Sequence, residues 1–498
     1  MQRQRLIPLA VTTSALLAVS ACSSDGSERS ADTTAAPRNT TAVPSTAPAR
    51  TTDPTTTVAG NDGRPQGFGS TLSFFGDCPA LLDYMQTEAT ARVTPWGLGG
   101  NGRFVGAGET MIDMEVAEDA ADVAPSAPAA TGDGSDVAFS GTNTQEVGVD
   151  EGDIVETDGE YVYVAGEDGV RIVSVADARL VAEPELPQGT HQLLLEGDRL
   201  LVVTSSWSGS ADTIVSLYDV GDPANPSLLR RSHLEGFVVA TRSIDGVARL
   251  VISTSFDERL PFVQPSEFGY DEDSALDRNK EIIAESDVQD WLPRWFDEAG
   301  DGSFGEIEPI LPCEDVAAPR DFAGLGITWI ASVDTLADAT PVGSAGIVST
   351  GDTVYASTDN LYIATQNWDW RWGGPVPMPV DAAVEPTIDQ PATVGSDAVA
   401  EPEPESDPDP GPPPTLIHQF ELGAGTDAAY VASGEVEGRL LNQFAMSEHN
   451  GDLRVATTTD DWGFGQQQDS TVFVLRPNGD ELEQISSIGG LGKGEQIY

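Results

Sequence analysis

HQLLLEGDRLLVVTSSWSGSADTIVSLYDVGDPANPSLLRRSHLEG, residues 191–236, holds one complete structural unit. Its first apolar run turns at Gly197-Asp198 into a second that ends in Thr and Ser. A third run, TIVSLYDV (213–220), follows, and a more polar fourth, PSLLRRSHLEG (226–236), leads onward. Short β-branched and aliphatic runs bounded by Gly, Asn and Asp read as antiparallel strands.

The unit recurs from residue 154. The hairpins IVETDGEYVYVAG (154–166), FVVATRSIDGVARLVISTS (237–255) and LLNQFAMSEHNGDLRVATTT (440–459) turn at Asp158-Gly159, Asp245-Gly246 and Asn450-Gly451. Such dipeptides tolerate positive φ, which suits tight hairpins. A further hairpin, GIVSTGDTVYASTDNLYIATQ (346–366), is expected to turn around Gly351-Asp352. Third strands are read at 169–175, 326–334, 415–422 and 470–477, and fourth strands at 427–438 and 481–496. Successive turn glycines Gly159, Gly197 and Gly246 lie 38 and 49 residues apart. A period of ~40–50 residues with four strands is that of a propeller blade. The expected fold is all-β: a β-propeller of about five four-stranded antiparallel blades over residues 141–498, each blade covering the apolar face of its neighbour.

Two insertions interrupt the repeat. Residues 257–320 include a helix-like stretch, SALDRNKEIIAESDVQDWLPRWF (274–296). Residues 367–415 are rich in Pro and acid, with EPEPESDPDPGPPP at 401–414, and are expected to be disordered. Long insertions into a rigid repeat cost little closure entropy, and loops of this kind carry function. Upstream, residues 70–140 are expected to hold a helix from Asp77-Cys78-Pro79 to about Val93, capped by Asp77, and then a linker.

The first residues bear on compartment. Arg3 and Arg5 precede an apolar stretch, Leu6 to Ser20, too short to span a bilayer. It ends Val19-Ser20-Ala21-Cys22, which resembles a bacterial lipobox, so residues 1–21 read as a lipoprotein signal peptide and Cys22 as the lipidated residue. The alternative is an ordinary signal peptide cut near Ala21. Residues 22–69, made of Ser, Thr, Ala, Pro, Asp and Gly, read as a disordered tether. The expected location is the outer face of the cell membrane. Cys78 and Cys313 remain, and in an oxidising compartment they are expected to pair, closing a loop of more than 200 residues; the alternative is two unrelated thiols.

The net charge is −56, from 81 acidic and 25 basic residues. That excludes a nucleic-acid partner, which needs a basic surface, and electrostatic attachment to anionic lipid. It leaves a solubilising acidic coat or cation binding. The acidic run Glu146, Asp150, Glu151, Asp153, Glu156 and Asp158 is the best calcium candidate, although its spacing does not fit an EF-hand. Neither a metal ligand set nor a cofactor site is otherwise read.

Catalytic constellations are not found. Gly343-Ser344-Ala345-Gly346 is one residue short of a nucleophile elbow and reads as a turn between blades. His191, His233, His418 and His449 fall in different blades at no ligand spacing and read as surface residues of strands or turns. NWDWRWGG (367–374) carries more: Trp368, Trp370 and Trp372 beside Arg371 could stack against sugars or peptides. The alternative is packing of a loop on a blade rim.

TNTQEVGVDEGDIVETDGEYVYV (142–164) resembles the opening motif of the bacterial secreted β-propeller family distantly related to WD repeats. YDVGDPANPSLL (218–229), DVQDWLP (287–293), LLNQFAMSEHNGDLRVATT (440–458) and GGLGKGEQIY (489–498) match as well, while Glu146 and Glu156 depart from the pattern. The resemblance implies a propeller and no transferable catalytic residue. It also implies further chain after GKGEQIY, so the sequence is expected to be truncated, or to be a partial propeller needing another blade or partner. The leading expectation is a lipid-anchored module binding an unknown extracellular protein or glycan. The competing one is an extracytoplasmic hydrolase or lyase using acids in the propeller channel.

Overall fold

At Asp245-Gly246 both turn residues take positive φ, 52° and 77°, and at Asn450-Gly451 they take 54° and 80°. These turns set the register of their hairpins, so the apolar alternation falls on consistent faces. The computed structural model describes residues 72–98 and 144–492, apart from 167–168, 207–211, 258, 266–268, 338–339, 367–413, 424 and 460–468.

The chain begins with β1 (Leu72–Phe74) and α1 (Cys78–Arg92), then adds β2 (Asp150–Glu151). Blade 1 is β3 (Val155–Thr157), β4 (Tyr161–Gly166), β5 (Gly169–Ser174) and β6 (Arg179–Ala182). Blade 2 is β7 (Gly189–Glu196), β8 (Arg199–Ser206), β9 (Asp212–Asp219) and β10 (Ser227–Glu235). Blade 3 starts with β11 (Phe237–Ile244) and β12 (Val247–Thr254). An excursion then supplies α2 (Glu272–Glu285), β13 (Arg294–Glu298), β14 (Glu308–Pro309) and β15 (Val316–Pro319), before β16 (Ile327–Asp334) and β17 (Val342–Val348) complete the blade. Blade 4 is β18 (Gly351–Ala356), β19 (Asn360–Gln366), β20 (Pro414–Leu422) and β21 (Ala428–Glu437). Blade 5 is β22 (Met446–His449), β23 (Asp452–Thr459), β24 (Asp469–Asn478) and β25 (Glu481–Leu491). The fold is a β-propeller of four-stranded antiparallel blades.

Four buried apolar clusters fill the junctions. Tyr163 and Ile172 of blade 1 meet Leu193 and Leu200 of blade 2. Leu201 and Val215 of blade 2 meet Leu250 and Trp329 of blade 3. Val251 and Ile330 of blade 3 meet Leu361 and Phe420 of blade 4. Tyr362 and Ile417 of blade 4 meet Val455 and Phe473 of blade 5. Among the described residues no such cluster joins blade 5 to blade 1.

The excursion repairs sheet edges. β13 and β14 lengthen the outer edge of blade 2, while β15 and β1 lengthen that of blade 3. Exposed edges invite unwanted pairing, and covering them removes that hazard. Asp77 caps α1 by accepting from Ala80 N at 2.9 Å, and Asp271 caps α2 by accepting from Ser274 N at 2.8 Å. Gln86 on α1 donates to the carbonyls of Ile283 and Ser286 at the end of α2, both at 3.1 Å. Leu81, Met85, Ile283 and Trp291 carry both helices into the cluster between blades 2 and 3.

Three local expectations are corrected. The helix expected over 274–296 ends at Glu285, because Asp287 caps a new 3-10 turn (Val288–Trp291) and Pro293 leads into β13. The fourth hairpin turns at Ser357–Asn360, not Gly351-Asp352: Ser357 N donates to Asn360 O at 2.9 Å, and Ser357 Oγ accepts from Asn360 N at 3.1 Å. A hydroxyl there performs the work for which glycine was expected. Gly343–Gly346 lies within β17 and is not a turn; a Cβ on Gly343 would come within 2.7 Å of Ile310 O. These glycines serve close approach by the excursion.

Cys78 and Cys313 are joined by a disulfide, with Cα atoms 5.1 Å apart, and tie α1 to the excursion across 235 residues. Cys313→Ser is expected to cost about 2–5 kcal/mol, read as a lower urea midpoint that reductant no longer shifts. An unchanged midpoint would show that the clasp does not support the blades.

Candidate functional site

Residues 144–153 determine what the centre of the molecule can do. This strap runs past the first strands of four blades before entering β3. Gln145 Nε2 donates to the carbonyls of Gln443 at 3.1 Å and Met446 at 2.9 Å, where blade 5 begins. Tyr355 on β18 donates its hydroxyl to Glu146 Oε1 at 2.6 Å. β2 pairs Asp150 with Ser243 and Glu151 with Arg242 on β11. Asp153 and Leu193 of β7 exchange both backbone bonds, at 3.1 and 2.7 Å. Gly152 permits the passage, since a Cβ there would meet Gln192 Oε1 at 2.8 Å.

Two polar nodes lock the strap. Arg242, buried on β11, donates to Gln443 Oε1 at 2.5 Å and lies 3.8 Å from Glu151, while Gln443 Nε2 donates to Glu151 at 3.2 Å. Burial lowers the Arg242 pKa, and Glu151 partly offsets that. The second node is Glu448, whose Oε2 accepts from Ser357 Oγ at 2.8 Å and from Asn360 Nδ2 and Tyr362 OH at 3.0 Å. Its backbone N donates to the Tyr355 hydroxyl at 2.7 Å, and burial raises the pKa of both tyrosines. A cleft of about 200 Å³ lies here, lined by Glu146, Val147, Ser357, Thr358, Asp359, Glu448 and Asn450.

The strap also brings carboxylates together. Glu156 on β3 is 5% exposed, and its Oε1 has no hydrogen-bond partner. Burial, then Asp150 and Asp153, push its pKa up to about 8. Burial and the neighbouring acids Asp153, Glu196 and Glu151 push Asp150 up to about 6, against a backbone hydrogen bond that lowers it. Burial and Glu151 raise Asp153.

The acidic run is thus divided among different tasks. Glu146 and Glu151 bind blade residues, Asp158 Oδ1 accepts from Glu160 N and Tyr161 N at 2.8 and 2.7 Å, and Asp150, Asp153 and Glu156 crowd one another. Among the described residues no group of three or more His, Cys, Asp or Glu side chains is placed to hold a metal ion.

Two histidines contradict the surface expectation. His418 is fully buried, with Nδ1 2.7 Å from Ser433 Oγ, and burial lowers its pKa to about 3. His191 is 6% exposed, with Nδ1 2.9 Å from Thr204 Oγ1. Both occupy strands whose neighbours offer hydroxyls in register, which gives each buried ring a hydrogen-bond partner. His233 stacks on Phe296 at 4.6 Å, with Nε2 3.0 Å from Glu298. Of the other expected site residues, the structure brings Cys78 and Cys313 together, whereas Cys22, Trp368, Trp370, Arg371 and Trp372 lie outside the described residues.

Arg242, Tyr355, Gln443 and Glu448 were not singled out in the sequence. Arg242 alone left a trace, as a charge inside the apolar run FVVATRSI.

The beta propeller domain family model matches residues 139–498. The chain belongs to this family. Within this beta propeller domain protein, a short part of the chain matches each of two curated relatives. An uncharacterized protein of Methanocaldococcus jannaschii is 46% identical over 72 residues, 14% of this chain and 11% of that protein. One of Archaeoglobus fulgidus is 44% identical over 63 residues, 13% of this chain and 9% of that protein. The chain thus spans about a tenth of the length of these curated relatives. The structure of Kluyveromyces lactis Hsv2p covers 67% of this chain and 85% of its own at 9% identity, with a TM-score of 0.25, too loose to add to the assignment.

The crowded acids give the beta propeller a pH dependence of defined sign. Asp150 and Glu156 bind protons more tightly folded than unfolded, so their contribution is full in acid. It is lost as pH rises from ordinary values of 3.8 and 4.5 through about 6 and about 8. Wild type is expected to lose urea midpoint between about pH 4 and about pH 8, and Glu156→Gln to lose markedly less. Equal slopes in the two proteins would contradict the assignment.

Proposed function

We propose that this beta propeller protein is a binding and scaffold module held at the outer face of the cell membrane by lipidated Cys22. One observation carries the reading: the polar side chains of the two nodes are engaged in joining blades. Glu448 of blade 5 accepts three side-chain hydrogen bonds from blade 4, and Glu151 holds the Arg242–Gln443 node. A centre built this way positions loops and leaves recognition to them. The sequence between β19 and β20 carries Trp368, Trp370, Arg371 and Trp372, aromatic and cationic groups suited to a protein or glycan surface. A disulfide between Cys78 and Cys313 suits an oxidising compartment, in keeping with the apolar stretch before Cys22.

A second reading, an extracytoplasmic hydrolase or lyase acting on glycan or peptide, is favoured by Glu156, which keeps its proton near neutral pH as a general acid requires. Its 5% exposure weighs against it, because a general acid must reach within about 3 Å of the atom it protonates. Affinity capture of tagged protein from native membranes, with mass spectrometry, tests the leading reading. A reproducible envelope partner is expected, lost when Trp368, Trp370 and Trp372 are replaced together by Ala, with a lipid on Cys22. Turnover of cell-wall glycan or peptide that is abolished by Asp150→Asn would overturn it.

A further inference from the structure

Blade 2 is wider than blade 1. Its sheet runs β7-β8-β9-β10-β13-β14, six strands against the four of blade 1. The register shows which side of this extension faces blade 1. Leu200, Val202 and Tyr218 of blade 2 pack with Tyr163 and Ile172 of blade 1. Across the strands Val202 lies beside Ser216, Ser216 beside Arg231 and Arg231 beside Glu298. In the next row Ile214 lies beside His233, and His233 beside Phe296. Alternate residues of a strand share a face, so Arg231, His233, Phe296 and Glu298 continue the face turned to blade 1. β13 lies one strand beyond β10, and blade 1 has no fifth strand to cover it among the described residues.

Aromatic and polar groups meet on this overhang. His233 and Phe296 stack with their planes 8° apart, and Phe304 stands edge-on to both, at 5.8 and 5.4 Å. Phe304 is 65% exposed, yet a hairpin fixes it: Phe304 bridges to Glu298, Gly305 N donates to Asp297 O at 2.8 Å and Ala299 N donates to Ser303 O at 2.8 Å. Beside the rings, Glu298 holds His233 through Oε2 and lies 3.6 Å from Arg231 Nη1 through Oε1. Arg231 donates from Nε to Ser216 Oγ at 3.1 Å. The side chains of Arg231, His233 and Glu298 keep between 13% and 22% of their surface open to solvent, enough to meet a ligand.

We propose that this overhang is a binding site for a neutral sugar ring of a glycan. The Phe304 ring takes the C–H face of the sugar, while Arg231 donates to its hydroxyls and Glu298 accepts from them. Charge complementarity selects a neutral occupant. In a chain of net charge −56, Arg231 and Glu298 cancel one another here, so the site favours neither an anion nor a cation. The sheet edge disfavours an extended peptide. Residues 304–309 run along the outside of β13, and Glu306, Glu308 and Pro309 blunt strand addition there. The inference goes beyond the binding reading, since the site lies on the flank of blade 2 and involves neither the tryptophan stretch nor the membrane.

Saturation-transfer NMR of the purified protein tests it, with maltotetraose and the tetramer of N-acetylglucosamine as probes. Transfer to the ring protons of at least one probe is expected, and it should persist when Trp368, Trp370 and Trp372 are replaced together by Ala. Phe304→Ala should weaken binding by about three- to tenfold, the effect of losing one ring contact, and Phe304→Trp should retain it. Glu298→Gln should weaken it as well, because a neutral amide accepts a weaker hydrogen bond than a carboxylate. Absence of transfer to both probes, or equal binding by wild type and Phe304→Ala, would overturn the proposal. Transfer that disappears with the three tryptophans alone would do so too, since it would place the sugar on that stretch.

Discussion

A propeller blade has two apolar faces and only its neighbours to cover them. That constraint organises the molecule. Burying one Val, Leu, Ile or Phe side chain contributes about 1.5–3 kcal/mol, whereas a hydrogen bond nets about 1 kcal/mol. The junction clusters, built from Tyr163, Leu201, Trp329, Phe420 and Phe473 with their neighbours, therefore outweigh the strap's hydrogen bonds as a source of stability. The strap contributes order instead. By bonding Gln443, Tyr355, Arg242 and Leu193 in succession, residues 145–153 fix where the first strands of four blades stand relative to one another.

Stability is unevenly distributed around the stack. The junction between blades 2 and 3 gains α1, α2 and the 3-10 turn around Trp291, and the disulfide fastens the same region. β13, β14, β15 and β1 cover the outer edges of these two blades. Blades 1 and 5 have no comparable reinforcement among the described residues, and the exposed Val155, Leu180 and Ile488 lie on them. Low local stability is therefore expected in blades 1 and 5.

The repeat was legible because its code is local. Asp245-Gly246 and Asn450-Gly451 announce their turns within two residues, and a nearly continuous apolar run such as TIVSLYDV announces a strand buried on both sides. The capped helix at Asp77 was legible for the same reason. What escaped was non-local. Ser357 makes a turn through a hydroxyl that composition does not flag, and 294–298 forms a strand only because β10 offers an edge to it. The strap site joins Gln145 to Gln443 and Glu146 to Tyr355, pairs separated by 298 and 209 residues, which no periodicity encodes. The acidic run was visible, but its division into blade-binding and mutually crowded carboxylates depends on how the strap is threaded.

Native-state hydrogen exchange, followed strand by strand, tests the stacking account most directly. Strands covered on both faces, such as β8, β12 and β20, should exchange only through global unfolding, while those of blades 1 and 5 should open at distinctly lower free energy. Protection in blades 1 and 5 equal to that of the central blades would contradict the account, because it would require their outer faces to be covered like the rest.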